Sequence, residues 1–149
     1  MREIPLTQGR VALVDDEDYE RVIQHSWCVV RGYVQTSLKN RHIYLHRYIM
    51  HAQKGTEVDH RNQNTLDCRK SNLRICTRSQ NSMNLAPNKH TSKYKGVCWS
   101  VSHQKWHAEI TIQQVKKHLG YFNDEVEAAR CRDEAAKQYH GEFAFLNFQ

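Results

Sequence analysis

Apolar positions change their period several times along the chain, and each change marks an element. Ile4 and Leu6, then Val11 and Leu13, alternate around Gln8-Gly9, which predicts a small N-terminal hairpin. Asp15-Asp16-Glu17-Asp18 follow as four acids where a helix dipole favours negative charge, and a helix over 16–24 would bury Tyr19, Val22 and Ile23. Residues 27–36 and 41–45 read as two strands joined near Lys39-Asn40, and 46–50 as a short helix. The segment 61–71 is too polar for a core and reads as a surface Ω-loop. It is bracketed by an extended stretch carrying Asp59 and His60 and by a returning strand over 72–76. Thr77 and Gln80 then have capping-box spacing, so a helix is expected to start there.

Segment 85–93 contains Pro87 and no apolar periodicity, which places a boundary between a domain at 1–86, a linker at 87–91 and a second domain at 92–149. In the second domain 94–100 reads as a strand. Residues 105–113 put Trp106, Ala108, Ile110 and Ile112 on one face and His107, Glu109, Thr111 and Gln113 on the other. A tight connection at Gln113-Gln114 leads to a third strand at 115–120. Asp124 and Glu127 open a helix that runs to about Tyr139, with Ala128, Cys131, Ala135 and Tyr139 as its buried stripe and Gly141 as its stop. Phe143, Phe145, Leu146 and Phe148 return to close that core. The expected class is α+β, ending in a three-stranded antiparallel sheet packed on one helix.

Composition narrows the partner. The chain has 149 residues, a net charge of +6 and ten His, a balance that favours a polyanion. No apolar run reaches membrane-spanning length and the first residues lack a signal peptide's apolar core, so the expectation is no membrane partner and a cytoplasmic location. Five scattered cysteines without a C-x₂₋₄-C pair read as free thiols, with a zinc site assembled from distant residues as the alternative.

The chemistry concentrates in 58–84. Adjacent residues of an extended strand point to opposite sides, so Asp59 can hold a cation while His60 faces a water. Arg69, Lys70, Arg74 and Arg78 surround this stretch with positive charge suited to phosphates, and Arg47 lies upstream. This stretch resembles the HNH nucleases, the ββα-metal or His-Me finger group. His60 matches the first letter of the motif, Asn72 the second, and Asn81 the third, where Asn often replaces His. The resemblance implies a DNA endonuclease of the phage or homing type, with one Mg²⁺ (or Mn²⁺) held by Asp59 and Asn81. It makes His60 the general base and Asn72 the residue that pins the loop base through its side-chain amide. Its substrate would be double-stranded DNA, cut by a monomer or a homodimer.

The second domain resembles the ethylene-response-factor (APETALA-type) DNA-binding domain through Tyr94-Lys95-Gly96-Val97, 105–110, Leu119-Gly120-Tyr121-Phe122 and Leu146-Asn147-Phe148. That likeness implies DNA contacts from Lys95, His107, Glu109, Thr111, Lys116 and His118. Cys98, Ser100, Thr111 and His118 stand where the plant family has Arg, Arg, Arg and Trp, so looser sequence specificity is expected. Two other functional classes remain open: a non-catalytic DNA-binding regulator and a zinc-bound RNA- or protein-binding module.

Overall fold

In the computed structural model, which describes residues 1–7, 9–38, 40–86 and 91–148, the chain is a mixed α/β protein with several small antiparallel sheets and four helices. It divides into two compact units, Met1–Arg78 and Ser79–Gln149. Most of the expected linker, Pro87 to His90, lies outside the described residues, as do Gln8 and Lys39 of the two expected turns.

In the first unit β1 (Arg2–Pro5) pairs antiparallel with β2 (Val11–Val14). The run Val11-Ala12-Leu13-Val14 is apolar throughout, so its pattern cannot fix which residues face inward. Ala12 and Val14 are fully buried with Ile4 and Leu6, while Val11 is exposed, the opposite phase to the expected one. The outward edge of Leu13 is used by the backbone: its N–H donates to Leu66 O at 2.8 Å and its carbonyl accepts from Cys68 N–H at 2.9 Å. This docking draws the polar loop inward. Asp67 and Cys68 are buried, which corrects the reading of 61–71 as wholly surface.

Helix α1 (Asp16–Val22) starts at the acidic run and buries Val22 against Trp27; Ile23, expected inside, is exposed because the helix has already ended. The expected pair of strands is three: β3 (Cys28–Val30), β4 (Tyr33–Leu38) and β5 (Arg41–Tyr44), in the order β3-β4-β5. Arg31 and Gly32 make the additional turn with both φ values positive, as a two-residue hairpin requires. Helix α2 (Leu45–Ile49) follows without a loop, burying Leu45, His46 and Ile49. Then come the hairpin β6 (Glu57–His60) and β7 (Leu73–Cys76), paired with Asp59 opposite Arg74 and His60 opposite Leu73, and the helix α3 (Arg78–Asn84).

In the second unit β8 (Val97–Ser100), β9 (Lys105–Ile112) and β10 (Val115–Phe122) form an antiparallel sheet in the order β10-β9-β8, with Gln113 and Gln114 at positive φ in the two-residue turn. The helix α4 (Glu125–His140) is capped by Asp124, whose side chain accepts from Glu127 N–H at 2.9 Å. Its inward stripe is Ala128, Ala129, Arg132, Asp133, Ala135, Ala136 and His140; Tyr139 is exposed and Cys131 only half-buried, so the helix is rotated from the expected face. The rotation serves the C-terminal segment. Asp133 accepts from Asn147 N–H at 2.7 Å and Phe148 N–H at 3.0 Å, and Arg132 donates to the Phe145 carbonyl. Gly96 sits where a Cβ would meet Glu109 O at 2.5 Å, with φ +74°, so a side chain is barred there both sterically and by conformation.

Candidate active site

Asp59 and His60 are both buried although one is charged and the other polar, and burial on a four-residue strand needs partners. For Asp59 the partner is its cross-strand neighbour: Arg74 donates to Oδ2 through Nε at 2.8 Å and Nη2 at 2.6 Å. Arg74 is therefore buried in an ion pair rather than presented to phosphates. A positive charge is already accommodated at this carboxylate, whose hard oxygens suit Mg²⁺ or Mn²⁺, so the donor chemistry fits such an ion if Arg74 shares the group. Among the described residues no group of three or more His, Cys, Asp or Glu is arranged to hold a metal.

His60 points to the other side of the strand, into an aromatic enclosure. The His46 ring stands edge-on to it at 5.0 Å between centroids and 71°, Tyr33 lies at 6.3 Å, and Tyr44 stacks on His46 at 5.6 Å and 19°. The Cys68 thiol is 3.8 Å from His60 Nε2. Burial lowers the His60 imidazole below the usual histidine value, while the Asp59 and Asp67 charges oppose that shift. Burial, with the charges of His60 and Arg47, pushes His46 down to about 3. Burial pushes the Cys68 thiol up to about 12. At neutral pH the enclosure holds neutral imidazoles and a neutral thiol.

The His46 shift has a consequence for stability. Its imidazole stays neutral when folded until about pH 3 but protonates near 6.5 when free, so the unfolded chain binds the proton first. The contribution is complete above about 6.5 and falls as the pH drops toward 3. At two pH units below the free value the loss amounts to about 2–3 kcal/mol. Denaturant melts of His46→Phe are expected to lose much of this acid sensitivity of the first unit, and an unchanged pH slope would contradict the assignment.

Asn72 lies at the base of the loop. Its Oδ1 accepts from Asn62 N–H at 3.0 Å and its Nδ2 donates to Asp67 O at 2.8 Å, so one amide ties both ends of the segment after His60. Asp67 is further gripped by Arg69, through Nε at 2.7 Å and Nη2 at 2.6 Å; these bonds hold its carboxyl below the usual range. Lys70 reaches Glu17 at 2.6 Å and Asp18 at 3.1 Å. Arg47 donates to the Thr56 and Gln53 carbonyls and closes the loop before β6. Of the cations expected to face phosphates, Arg47, Arg69, Lys70 and Arg74 all have intramolecular partners; Arg78 is exposed. The first unit thus brings together Asp59, His60 and Asn72. Asn81 is on α3, within the second unit.

In the second unit Lys95 is engaged by backbone: its Nζ donates to the carbonyls of Met83 at 2.7 Å and Leu85 at 2.6 Å, at the C-terminal end of α3. Burial lowers its ammonium to about 8, but the carbonyls and the negative end of the helix dipole favour the charged form there. Lys95→Met is expected to destabilise this unit by about 2 kcal/mol, the scale of charged hydrogen bonds lost, as read by urea denaturation. On the sheet face away from α4, His107 and His118 stack at 4.6 Å and Lys116 pairs with Glu109 at 2.7 Å. Thr111 stands opposite Lys116 in the register of β9 and β10.

Sequence reasoning missed the enclosure of Tyr33, Tyr44 and Cys68 around the two histidines. The one available signal was the Tyr44-x-His46 alternation entering α2; nothing in the spacing brings 33, 46, 60 and 68 together.

Residues 43–83 match the profile of the HNH endonuclease family. The chain is 32% identical over 92 residues to Protein 3.8 of Escherichia phage T7, covering 61% of this chain and 75% of that protein. It is 27% identical over 146 residues to a protein of Acanthamoeba polyphaga mimivirus named Uncharacterized HNH endonuclease L560, covering 94% of this chain and 76% of that one. No solved structure matches significantly.

Proposed function

Because the chain belongs to the family of phage T7 Protein 3.8 and carries an HNH endonuclease domain at residues 43–83, we propose that it is a divalent-metal-dependent DNA endonuclease with His60 as general base. HNH nucleases generally depend on divalent metals and such a domain implies a DNA substrate. The observation that carries the reading is a buried neutral imidazole, His60, on the strand residue next to a buried carboxylate, Asp59, both inside the matched segment.

In this reading α3 joins the β6–β7 hairpin in the ββα-metal arrangement, and Asp59 with Asn81 would hold one Mg²⁺ or Mn²⁺. When bound, that ion supplies Lewis-acid stabilisation of the charge growing on the phosphate and the leaving 3′ oxygen. His60 takes the proton of the attacking water on a ring nitrogen, which its neutrality at pH 7 permits. Asn72 keeps the His60 strand and its loop in register through its two bonds. The products are 5′-phosphate and 3′-hydroxyl ends. The second unit acts as a DNA-binding module of the ethylene-response-factor kind, presenting His107, Glu109, Thr111, Lys116 and His118. A phage or homing gene working in a bacterial host cell is the setting we propose.

One observation favours the reading of a DNA-binding regulator without cleavage: the Arg74 guanidinium is seated on the Asp59 carboxylate. Supercoiled plasmid separates the two. Relaxation or linearisation in Mg²⁺ or Mn²⁺ that EDTA abolishes is expected; an intact plasmid under all conditions would leave only the regulator.

A further inference from the structure

Outside the ionic and backbone contacts already described, the least explained feature is the buried His46. It comes from the first turn of α2, is 7% exposed, and among the described residues its Nδ1 meets no hydrogen-bond partner. A buried imidazole without that bond costs stability, so hydrogen bonding does not account for its place. Its ring contacts do. His46 stands edge-on to His60 at 5.0 Å, is stacked by Tyr44 at 5.6 Å, and is flanked by Tyr33 at 5.7 Å, which also lies 6.3 Å from His60. Perpendicular ring pairs at this separation are the favoured aromatic geometry and resist rotation of either ring.

We propose that His46, backed by Tyr33 and Tyr44, is a positioning residue that fixes the orientation of the His60 ring. The inference rests on the reading of His60 as the base and extends the site to Tyr33, upstream of the matched segment. The physical argument is one of reach. A general base must hold a ring nitrogen within hydrogen-bond distance of the water, and a small misplacement of a catalytic group costs rate steeply. The β6–β7 hairpin fixes the His60 backbone, but the side chain turns about its own bonds. The three rings brought by β4, β5 and α2 limit that rotation. Because the enclosing groups are neutral, they do so without placing a cation beside the base.

The test is steady-state cleavage of a DNA duplex by His46→Ala and His46→Phe, with the His60 ring ¹H–¹⁵N resonances recorded in parallel. His46→Ala is expected to lower kcat about 10- to 100-fold at unchanged KM and to broaden or shift the His60 ring signals. His46→Phe, which restores a ring of similar shape, is expected to recover most of that loss. Should His46→Ala fail to fold, Tyr33→Leu carries the same test, because Tyr33 is 39% exposed and touches both imidazoles. Wild-type kcat in His46→Ala and in Tyr33→Leu would overturn the proposal, as would a phenylalanine variant no better than alanine. If the wild-type protein does not cleave, the reading of His60 as base fails; the ring resonances then still report whether His46 orients His60.

Discussion

Replacing His60 with alanine is expected to slow plasmid cleavage by about 10²- to 10⁴-fold while leaving DNA affinity within about threefold, the range over which a positioned base contributes. Affinity should persist because His60 is 4% exposed and holds no charge at neutral pH, so its removal subtracts little from any phosphate-facing surface. Gel shift and plasmid relaxation on the same preparation check both halves of the statement. A His60→Ala protein that cuts at the wild-type rate would remove the base from the mechanism. One that neither cuts nor binds would assign His60 to the fold, since a cavity beside Cys68 and His46 could loosen the hairpin.

The second large effect is expected at Arg74. Its guanidinium and the Asp59 carboxylate form a buried pair at 2.6 Å, and removing one partner from such a pair leaves an uncompensated charge, at a cost of about 3–5 kcal/mol. Arg74→Met should therefore destabilise the first unit by that amount in EDTA. Millimolar Mg²⁺ should return part of the loss, because an ion that binds only the folded state stabilises it by mass action. In the wild type the same addition should raise stability less, since the guanidinium already answers the carboxylate. Urea melts of both proteins with and without Mg²⁺ read this directly. Equal Mg²⁺ responses in the two would mean that Asp59 is no part of an ion site.

Much of the architecture could be read from the pattern of residues, for identifiable reasons. Residues 105–112 alternate cleanly because one face of β9 packs on α4 and the other does not. The Asp124 cap could be placed because its chemistry is local: the acceptor and the Glu127 N–H lie three residues apart. The hairpin β6–β7 was legible because the polar loop 61–71 runs directly into the alternating stretch Leu73-Arg74-Ile75-Cys76.

The failures share one cause, which is that long-range contacts decide what a local pattern leaves degenerate. Val11-Ala12-Leu13-Val14 is apolar in both phases, and the choice of Ala12 and Val14 as core was made by the Leu13 edge pairing with the loop at 66–68. Arg132 and Asp133 lie outside the stripe of Ala128, Cys131, Ala135 and Tyr139 expected of the helix. They are buried because Phe145, Asn147 and Phe148 supply the partners that make burial of charge tolerable.

The sequence by itself determined the residue types at the candidate site and their order: an acid beside a histidine, an amide after a polar loop, and a second amide in the helix that follows. Those depend on neighbours a few positions apart. Tertiary structure decided the electrical state of the site and its enclosure. Arg74 faces Asp59 only through the register of two strands, and the rings around His60 arrive from β4, β5 and α2. Burial and charge depend on what lies nearby in space, and no spacing along the chain encodes that.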